Sequence, residues 1–198
     1  MSKGPRRRKC RILVWCLPRE WQPRIQAEID DVLTHLSSAD DRAVALVGAL
    51  LIETAVNDLV SAHVPGYKSL ADNRDFTLSM RIALARALKL CPARLLGAAD
   101  TVRAIRNDFA HKLVLQSFDQ CTRRHLQAAR AHLGTIQPKL SDGKTDREVF
   151  VSLVGMVCLA LHGYKFHVER LNEYMREADA FRTGLREYCI RRYSQIEV

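Results

Sequence analysis

The segment from residue 106 to residue 111 combines an arginine, an amide and a histidine. Arg106 stands five residues before His111, and Asn107 directly follows the arginine. A histidine titrates near neutral pH and can move a proton, while an arginine can hold a non-bridging phosphate oxygen and stabilise developing negative charge. Without metal ligands nearby, these residue types suit attack of an RNA 2′-hydroxyl on its own phosphate. DNA lacks that internal nucleophile, so RNA is the expected substrate. We expect this chemistry to need no cofactor and no metal.

The spacing of these residues also fits a helix with no catalytic role. Asn107 and His111 are four residues apart and share one helix face, whereas Arg106 and His111 stand about 140° apart on an ideal helix. One straight helix therefore does not aim both at one atom. Either the arginine side chain bends round, the helix ends near His111, or a second copy completes the site. In the non-functional alternative, Arg106 pairs with an acid and His111 closes a helix C-terminus.

The elements that position this segment are predicted to be helices. Apolar residues recur at helical spacing along most of the chain, and strand patterns are nearly absent. The pattern predicts an all-α helical bundle with helices over 20–36, 43–64, 76–90 (capped by Asp75), 92 to about 109 or 111, 118–133 (capped by Ser117 or Asp119) and 146 to about 193. The segment 134–142 is interpreted as a linker, and the last helical tract is expected to bend near Gly163 or Gly184.

Charge is distributed unevenly along the chain. The 198 residues carry 31 Lys and Arg against 22 Asp and Glu, a net charge of +9, and six of the basic residues lie within 1–11 with no acid. We predict a basic arm over 1–18 and a single helical-bundle domain over 19–198, with a core at about 40–134 and C-terminal helices at about 145–193. The arm is expected to attract nucleic-acid backbone through Arg6, Arg7, Arg8 and Lys9. A composition of 47% hydrophobic and 27% charged residues excludes a disordered or low-complexity chain.

Two apolar runs raise the question of targeting and membrane insertion. The run at 12–17 stops at Pro18, which is shorter than the roughly 7–15 residues of a secretory core. The run at 149–164 contains Ser152 and His162 and falls short of the about 20 residues that span a bilayer. We therefore expect a cytoplasmic protein that does not enter the membrane.

The six cysteines are scattered, which favours buried thiols over disulfides. Cys121, His125 and His132 recur at helical spacing, but no further ligand completes a metal site nearby. We interpret them as the flank of a helix.

The sequence Arg-Asn-Asp-Phe-Ala-His at 106–111 resembles the motif of the HEPN superfamily, an arginine and a histidine separated by four to six residues, with a polar residue after the arginine. Residues 49–59, 81–90 and 105–111 resemble the branch of that superfamily around the mannitol operon repressor. The resemblance covers roughly residues 40–115. It implies a four- or five-helix bundle, usually a homodimer whose two motifs face each other across the two-fold axis.

The resemblance also implies a function. Many HEPN proteins are metal-independent endoribonucleases of toxin or anti-phage systems, so Arg106 and His111 would carry catalysis on RNA and Asn107 would position the phosphate or the histidine. An antitoxin or a regulatory protein would be a further partner. The mannitol operon repressor branch also implies an alternative, a non-catalytic transcriptional regulator or dimeric protein-binding module.

Four further residues are candidates for supporting roles. Glu53 and Asn57 lie four apart in the most apolar helix and are predicted to orient Arg106 or His111, or else to form a hydrogen-bonded pair of their own. Arg103 and Lys112 flank the motif and are expected either to contact RNA backbone or to be solvated surface charges.

Residues 83–96 offer a different alternative, because they imitate a DNA-binding helix-turn-helix. The turn lacks glycine, and the second helix offers Arg94 followed mainly by Leu, Gly and Ala. Reading of bases requires several polar side chains along that helix, so this interpretation is disfavoured.

Overall fold

A computed structural model describes residues 39–73, 75–112, 114–136 and 143–193. Within these ranges the chain forms α-helices and one 3-10 turn, without strands, so the all-α helical bundle predicted from periodicity is confirmed. The elements are α1 (Asp41–His63), α2 (Tyr67–Ala71), α3 (Leu78–Ala87), α4 (Ala93–His111), the 3-10 turn (Phe118–Gln120), α5 (Arg123–Ile136) and α6 (Asp146–Tyr193).

Helix α1 is the central element of the bundle. The Asp40 side chain caps it by accepting a hydrogen bond from the Ala43 N–H at 2.8 Å. The helix ends before Pro65 and Gly66, and Gly66 has a φ of +73°, which favours glycine. The predicted helix over 43–64 is therefore confirmed to within two residues at each end.

The direction of the helices follows from their ion pairs and hydrogen bonds. Helices α1 and α6 run side by side in the same direction, because Arg147 pairs with Asp41 near their beginnings and Lys165 pairs with Asp58 further along. Helix α4 runs the opposite way, since the Arg42 guanidinium donates to the Lys112 carbonyl at 3.1 Å. The last turn of α4 therefore lies beside the first turn of α1.

Three phenylalanines hold that end of the bundle together. Phe118, in the 3-10 turn, lies between Phe109 of α4 and Phe150 of α6, with ring centroids 5.0 Å apart in both pairs. All three side chains are almost completely buried. Burial of one such ring contributes about 1.5–3 kcal/mol, and the tilted and edge-to-face contacts add to it. The position of the last turn of α4 is therefore well fixed.

Two predicted helix starts are wrong. Helix α3 begins at Leu78 with Thr77 at its N-cap position, because a turn in which the Asn73 side chain accepts the Asp75 N–H precedes it. Asp75 is therefore not the cap. Helix α5 begins at Arg123 rather than at 118, because residues 118–120 form the 3-10 turn.

The structure also refines other predicted boundaries. Helix α5 continues to Ile136, past the predicted end at 133, and α6 is one continuous helix from Asp146 to Tyr193. The short helix α2 was not predicted. The basic arm over 1–18, the helix predicted over 20–36 and residues 137–142 of the linker lie outside the described residues.

Two helices, α1 and α6, contain windows that are long and apolar enough to cross a membrane by length and composition. Half of each window is buried inside the bundle. An apolar surface of this kind is also what the central helices of a bundle require. The cytoplasmic location stays a prediction.

Candidate active site

The motif at 106–111 is divided between a buried face and an exposed face of α4. Ile105 and Phe109 are fully buried and anchor the helix in the core, while the Asp108 side chain is buried beside them. Arg106 and His111 are exposed, and Asn107 is partly buried. The residue types that are suited to phosphate chemistry are therefore presented at the surface of a rigid helix.

The buried Asp108 carboxylate organises the end of α4. Its Oδ1 accepts from Lys112 Nζ at 2.9 Å, and its Oδ2 accepts from His125 Nδ1 at 2.9 Å and from the Thr122 N–H at 3.1 Å. Burial by itself raises the pKa of Asp108, but these hydrogen bonds outweigh it and hold the pKa well below the usual carboxyl range. The carboxylate thus stays charged and connects α4 to the start of α5.

Arg106 and Asn107 line a groove between α1, α3 and α4, with a volume of about 780 Å³. Arg106 Nη1 donates to Asn107 Oδ1 at 3.2 Å, and the described residues contain no acid paired with Arg106. Arg81 and Arg103 bring two more guanidinium groups to the groove. Leu46, Leu50 and Phe76 supply apolar surface along its wall. The lining also contains the acids Glu53 and Asp72, so the groove combines charged side chains of both signs with apolar surface.

Glu53 lies in the same groove but binds a different arginine from the one predicted. Its Oε1 accepts from Arg81 Nη1 at 2.6 Å, and Arg81 also lies 5.8 Å from the centre of the Phe76 ring. Arg81 Nε is buried without a hydrogen-bond partner among the described residues. Asn57 is not part of the groove lining, and its Oδ1 accepts from the Tyr67 hydroxyl at 3.1 Å. Glu53 and Asn57 therefore have separate partners, and neither is bonded to Arg106 or His111.

The two flanking cations also have partners. Arg103 Nε donates to Asp100 at 2.8 Å while its side chain lines the groove. Lys112 Nζ is shared between Asp108 and the Thr122 hydroxyl at 3.0 Å. Arg103 thus lines the groove while paired with Asp100, whereas Lys112 is engaged in the ion pair that closes α4. The cationic residues Arg6, Arg7, Arg8 and Lys9 of the arm lie outside the described residues.

His111 is the last residue of α4 and is exposed. It is not among the residues that line the groove, and no hydrogen bond or ion pair joins it to another described residue. Of the alternatives raised by the 140° separation, the helix does end at His111, yet Arg106 and His111 of one chain do not contact each other.

Arg81 is a charged residue of the groove that sequence reasoning did not single out. It lies within residues 81–90, which carry part of the resemblance, but nothing in the spacing relates it to Glu53, 28 residues earlier. The signal that could have identified Arg81 is its place on the apolar flank of a predicted helix, because an arginine in such a place needs a buried or half-buried partner.

Cys121 lies before α5 rather than on it, so the interpretation of Cys121, His125 and His132 as the flank of one helix is wrong for Cys121. His125 is bonded to Asp108, and burial raises the pKa of the Cys121 thiol to about 12, so that Cys121 is protonated at neutral pH. Within the described ranges there is no group of three or more His, Cys, Asp or Glu side chains that could hold a metal ion.

Comparison of the chain with protein-family models, with curated proteins and with solved structures finds no match in any of the three.

Proposed function

We propose that this protein is a metal-independent endoribonuclease of the HEPN type. The observation that supports the proposal is the division of the motif at 106–111. Its apolar residues and Asp108 are buried, whereas Arg106 and His111 are left at the surface without an acidic partner among the described residues. The non-functional alternative requires Arg106 to be paired with an acid, and its described partner is the neutral Asn107.

The proposed reaction is transesterification within RNA. His111 accepts the proton of a 2′-hydroxyl, the 2′-oxygen attacks the adjacent phosphorus, and the P–O5′ bond breaks. The departing 5′-oxygen takes up a proton from a water molecule, and His111 returns its proton to the hydroxide so formed, which leaves a 2′,3′-cyclic phosphate and a 5′-hydroxyl. Arg106 binds the non-bridging oxygens, whose negative charge grows in the transition state, and Asn107 holds the guanidinium in position.

A site of this kind needs two copies of the chain. Arg106 and Asn107 face the groove, while His111 stands at the end of α4 outside it. In the proposed site, Arg106 of one copy and His111 of another flank the same phosphate. Arg103 attracts the neighbouring backbone, and the apolar wall near Phe76 offers a surface for a base.

A second candidate function is a non-catalytic regulator that binds an anionic ligand or a protein partner. It is favoured by the separation of His111 from the groove, because a ligand could occupy about 780 Å³ beside Arg106 without contacting a proton-transfer group. A helix-turn-helix function has less support. The first half of α4 buries Leu95, Leu96 and Ala99, so this part of the helix is committed to the core rather than exposed for base reading.

The test is cleavage of a mixed RNA pool by purified protein in EDTA. Wild type is compared with Arg106→Ala, His111→Ala and Asn107→Ala, and with Arg94→Ala, which removes an exposed arginine of the same helix outside the groove. The proposal predicts that wild type and Arg94→Ala produce 2′,3′-cyclic phosphate ends. It predicts that Arg106→Ala and His111→Ala lose most of the cleavage activity. Equal cleavage by all variants overturns the residue assignment. Absence of cleavage together with tight binding of a small anion supports the regulator instead.

A further inference from the structure

The second half of α6 projects from the bundle. Near the end of α1, helix α6 contacts it through the ion pair of Lys165 with Asp58 at 2.9 Å and the hydrogen bond from Asn172 to the Ala62 carbonyl at 3.4 Å. All residues from 169 to 188 are exposed. We call residues 169–188 the stalk, and 20 helical residues extend about 30 Å.

The stalk carries an apolar stripe at heptad spacing, with six residues alternately three and four apart. Phe181, with 70% of its surface exposed, and Leu171, with 62%, are among the most exposed large apolar residues of the described chain. The outward face of the stalk is polar, with Glu173, Arg176 and Thr183. We call the stripe the stalk seam, which consists of Leu171, Tyr174, Ala178, Phe181, Leu185 and Tyr188. Apolar residues at this spacing are typical of a helix that packs against another helix.

The stalk seam continues the face of α6 that packs in the core. Leu153, Met156 and Gly163 are buried and lie 18 residues, or five full helical turns, before Leu171, Tyr174 and Phe181. The same face is therefore covered by the bundle in the first half of α6 and extends beyond the end of α1 in the second. No described element of the chain covers it there.

We propose that the stalk seam binds the stalk seam of a second copy of this chain, with the two helices antiparallel. A parallel partner would extend back along the same face of α6, into the space that this copy's own bundle occupies beside Leu153 and Met156. An antiparallel partner places its bundle at the far end of the stalk, where there is no such overlap. The two-fold symmetry of such a dimer makes the seam complementary to itself.

The order of residues along the seam fits this antiparallel arrangement. Aromatic residues at 174, 181 and 188 alternate with the small or aliphatic residues at 171, 178 and 185. Antiparallel pairing brings Leu171 opposite Tyr188 of the second copy, Tyr174 opposite its Leu185, and Ala178 opposite its Phe181. Each large ring thus meets a smaller side chain, whereas parallel pairing would set Phe181 against another Phe181.

The apolar area of the stalk is large enough for a stable dimer. Aromatic side chains carry roughly 150–250 Å² each, and those of the seam are 53–70% exposed. When Leu171, Leu185 and the neighbouring Met175 are counted with the aromatic residues, burial of two seams removes on the order of 1,400 Å² of accessible surface from water. Specific interfaces bury roughly 1,200–2,000 Å².

This association is separate from the proposed nuclease site. The stalk leaves the bundle at the end of α1 near Ala62, whereas His111 lies at the other end, beside Arg42 and Asp41. An antiparallel stalk dimer therefore does not bring the two motifs of that dimer together. A protein that uses both surfaces forms assemblies larger than a dimer.

The first test is the molar mass of the full chain in solution, measured by light scattering at micromolar concentration. Phe181→Glu places a charge in the stalk seam, and Thr183→Glu places the same charge on the outward face two residues away. The proposal predicts that Phe181→Glu halves the mass of the assembly while its helical content is retained, and that Thr183→Glu leaves the mass unchanged. A monomeric wild type, or the same mass for both variants and wild type, overturns the proposal.

The second test is the orientation of the two helices, measured by disulfide formation in a Cys189→Ser background. The antiparallel dimer predicts that a mixture of Leu171→Cys and Tyr188→Cys proteins forms a mixed disulfide, while Leu171→Cys alone does not link to itself. Self-linking of Leu171→Cys, without the mixed product, shows parallel helices and contradicts the proposed arrangement.

Discussion

Asp108 and His125 are joined by a hydrogen bond of 2.9 Å from Nδ1 of the histidine to Oδ2 of the carboxylate, which connects the last turn of α4 to the first turn of α5. The same carboxylate accepts from Lys112 and from the Thr122 N–H. This network lies between Asn107, which is partly buried, and His111, which is exposed. It accounts for the fixed position of the helix end without involving either of these two residues.

Asp108→Ala is expected to destabilise the fold by about 2–4 kcal/mol, because it leaves three donors without their acceptor in a largely buried place. Urea unfolding measures the change. Asp100→Ala is the matched control, since the Asp100 side chain is 45% exposed and pairs with Arg103 within one helix, and its loss should cost less than about 1 kcal/mol. Similar values for the two variants would show that the network does not hold α4.

The free energy of unfolding should depend on pH through Asp108. Its pKa is depressed in the folded state, so the unfolded chain binds a proton more readily as the pH falls. The stabilising contribution is complete above the ordinary carboxyl pKa of about 4 and is lost progressively below it. Unfolding followed from pH 7 to pH 2 should show a shallower acid decline for Asp108→Asn than for wild type. An identical decline for both proteins contradicts the assignment.

The helices could be predicted where local signals agree with tertiary packing. Helix α1 has a broad apolar surface and ends at Pro65-Gly66, so its range was predicted closely. The starts of α3 and α5 were not, because Phe76 and Phe118 are apolar residues of turns. Phe76 packs against Tyr67, and Phe118 packs against Phe109. These contacts depend on how the elements pack together, which periodicity along the chain does not show.

The candidate site was predictable only in part. The sequence predicted that Arg106, Asn107 and His111 lie in one helix, and the structure places them on α4, with Arg106 and His111 exposed and Asn107 partly buried. The Arg81–Glu53 pair joins residues 28 positions apart on α1 and α3, and nothing but the packing of these helices relates them. The heptad spacing of the stalk seam is visible in the sequence, but its exposure is not, because it depends on where α1 ends.

Gly48→Ala is expected to destabilise the bundle by about 1–3 kcal/mol through overpacking. A Cβ at this position would lie 2.8 Å from Cε1 of Phe150, whose ring is fully buried and cannot move aside. Gly184→Ala is the control on α6, because a Cβ there has no neighbour within 4 Å. Thermal unfolding should show a lower midpoint for Gly48→Ala and an unchanged or higher one for Gly184→Ala, since alanine favours a helix by about 1 kcal/mol.

Arg103→Gln should weaken RNA binding and reduce its dependence on salt. Each phosphate contact with a single strand contributes about 0.7 to the slope of log affinity against log salt, so the slope should fall by about that amount. Fluorescence titration of an uncleavable 2′-deoxy-substituted RNA over a range of salt concentrations measures it. Arg94→Gln removes an equal charge outside the groove, and an equal loss of slope there would count against a groove-specific contact.

Mixing Arg106→Ala with His111→Ala should restore cleavage. If Arg106 of one copy acts with His111 of another, half of the sites in a mixed dimer are intact, and random mixing gives about a quarter of wild-type activity. Single-turnover RNA cleavage measures the recovery after the two proteins are unfolded and refolded together. An inactive mixture, with wild type active under the same procedure, shows that both residues act within one chain.

The proposed reaction requires a 2′-hydroxyl at the cut site, so we would compare two forms of one defined RNA in EDTA, with that hydroxyl present or replaced by hydrogen. We predict that wild type cuts the ribonucleotide form to a 2′,3′-cyclic phosphate and leaves the 2′-deoxy form intact. The rate of His111→Gln should be at least about a hundredfold lower, because the variant lacks the general base. Cleavage of the 2′-deoxy form, or an undiminished rate for His111→Gln, would show that the proposed reaction is wrong.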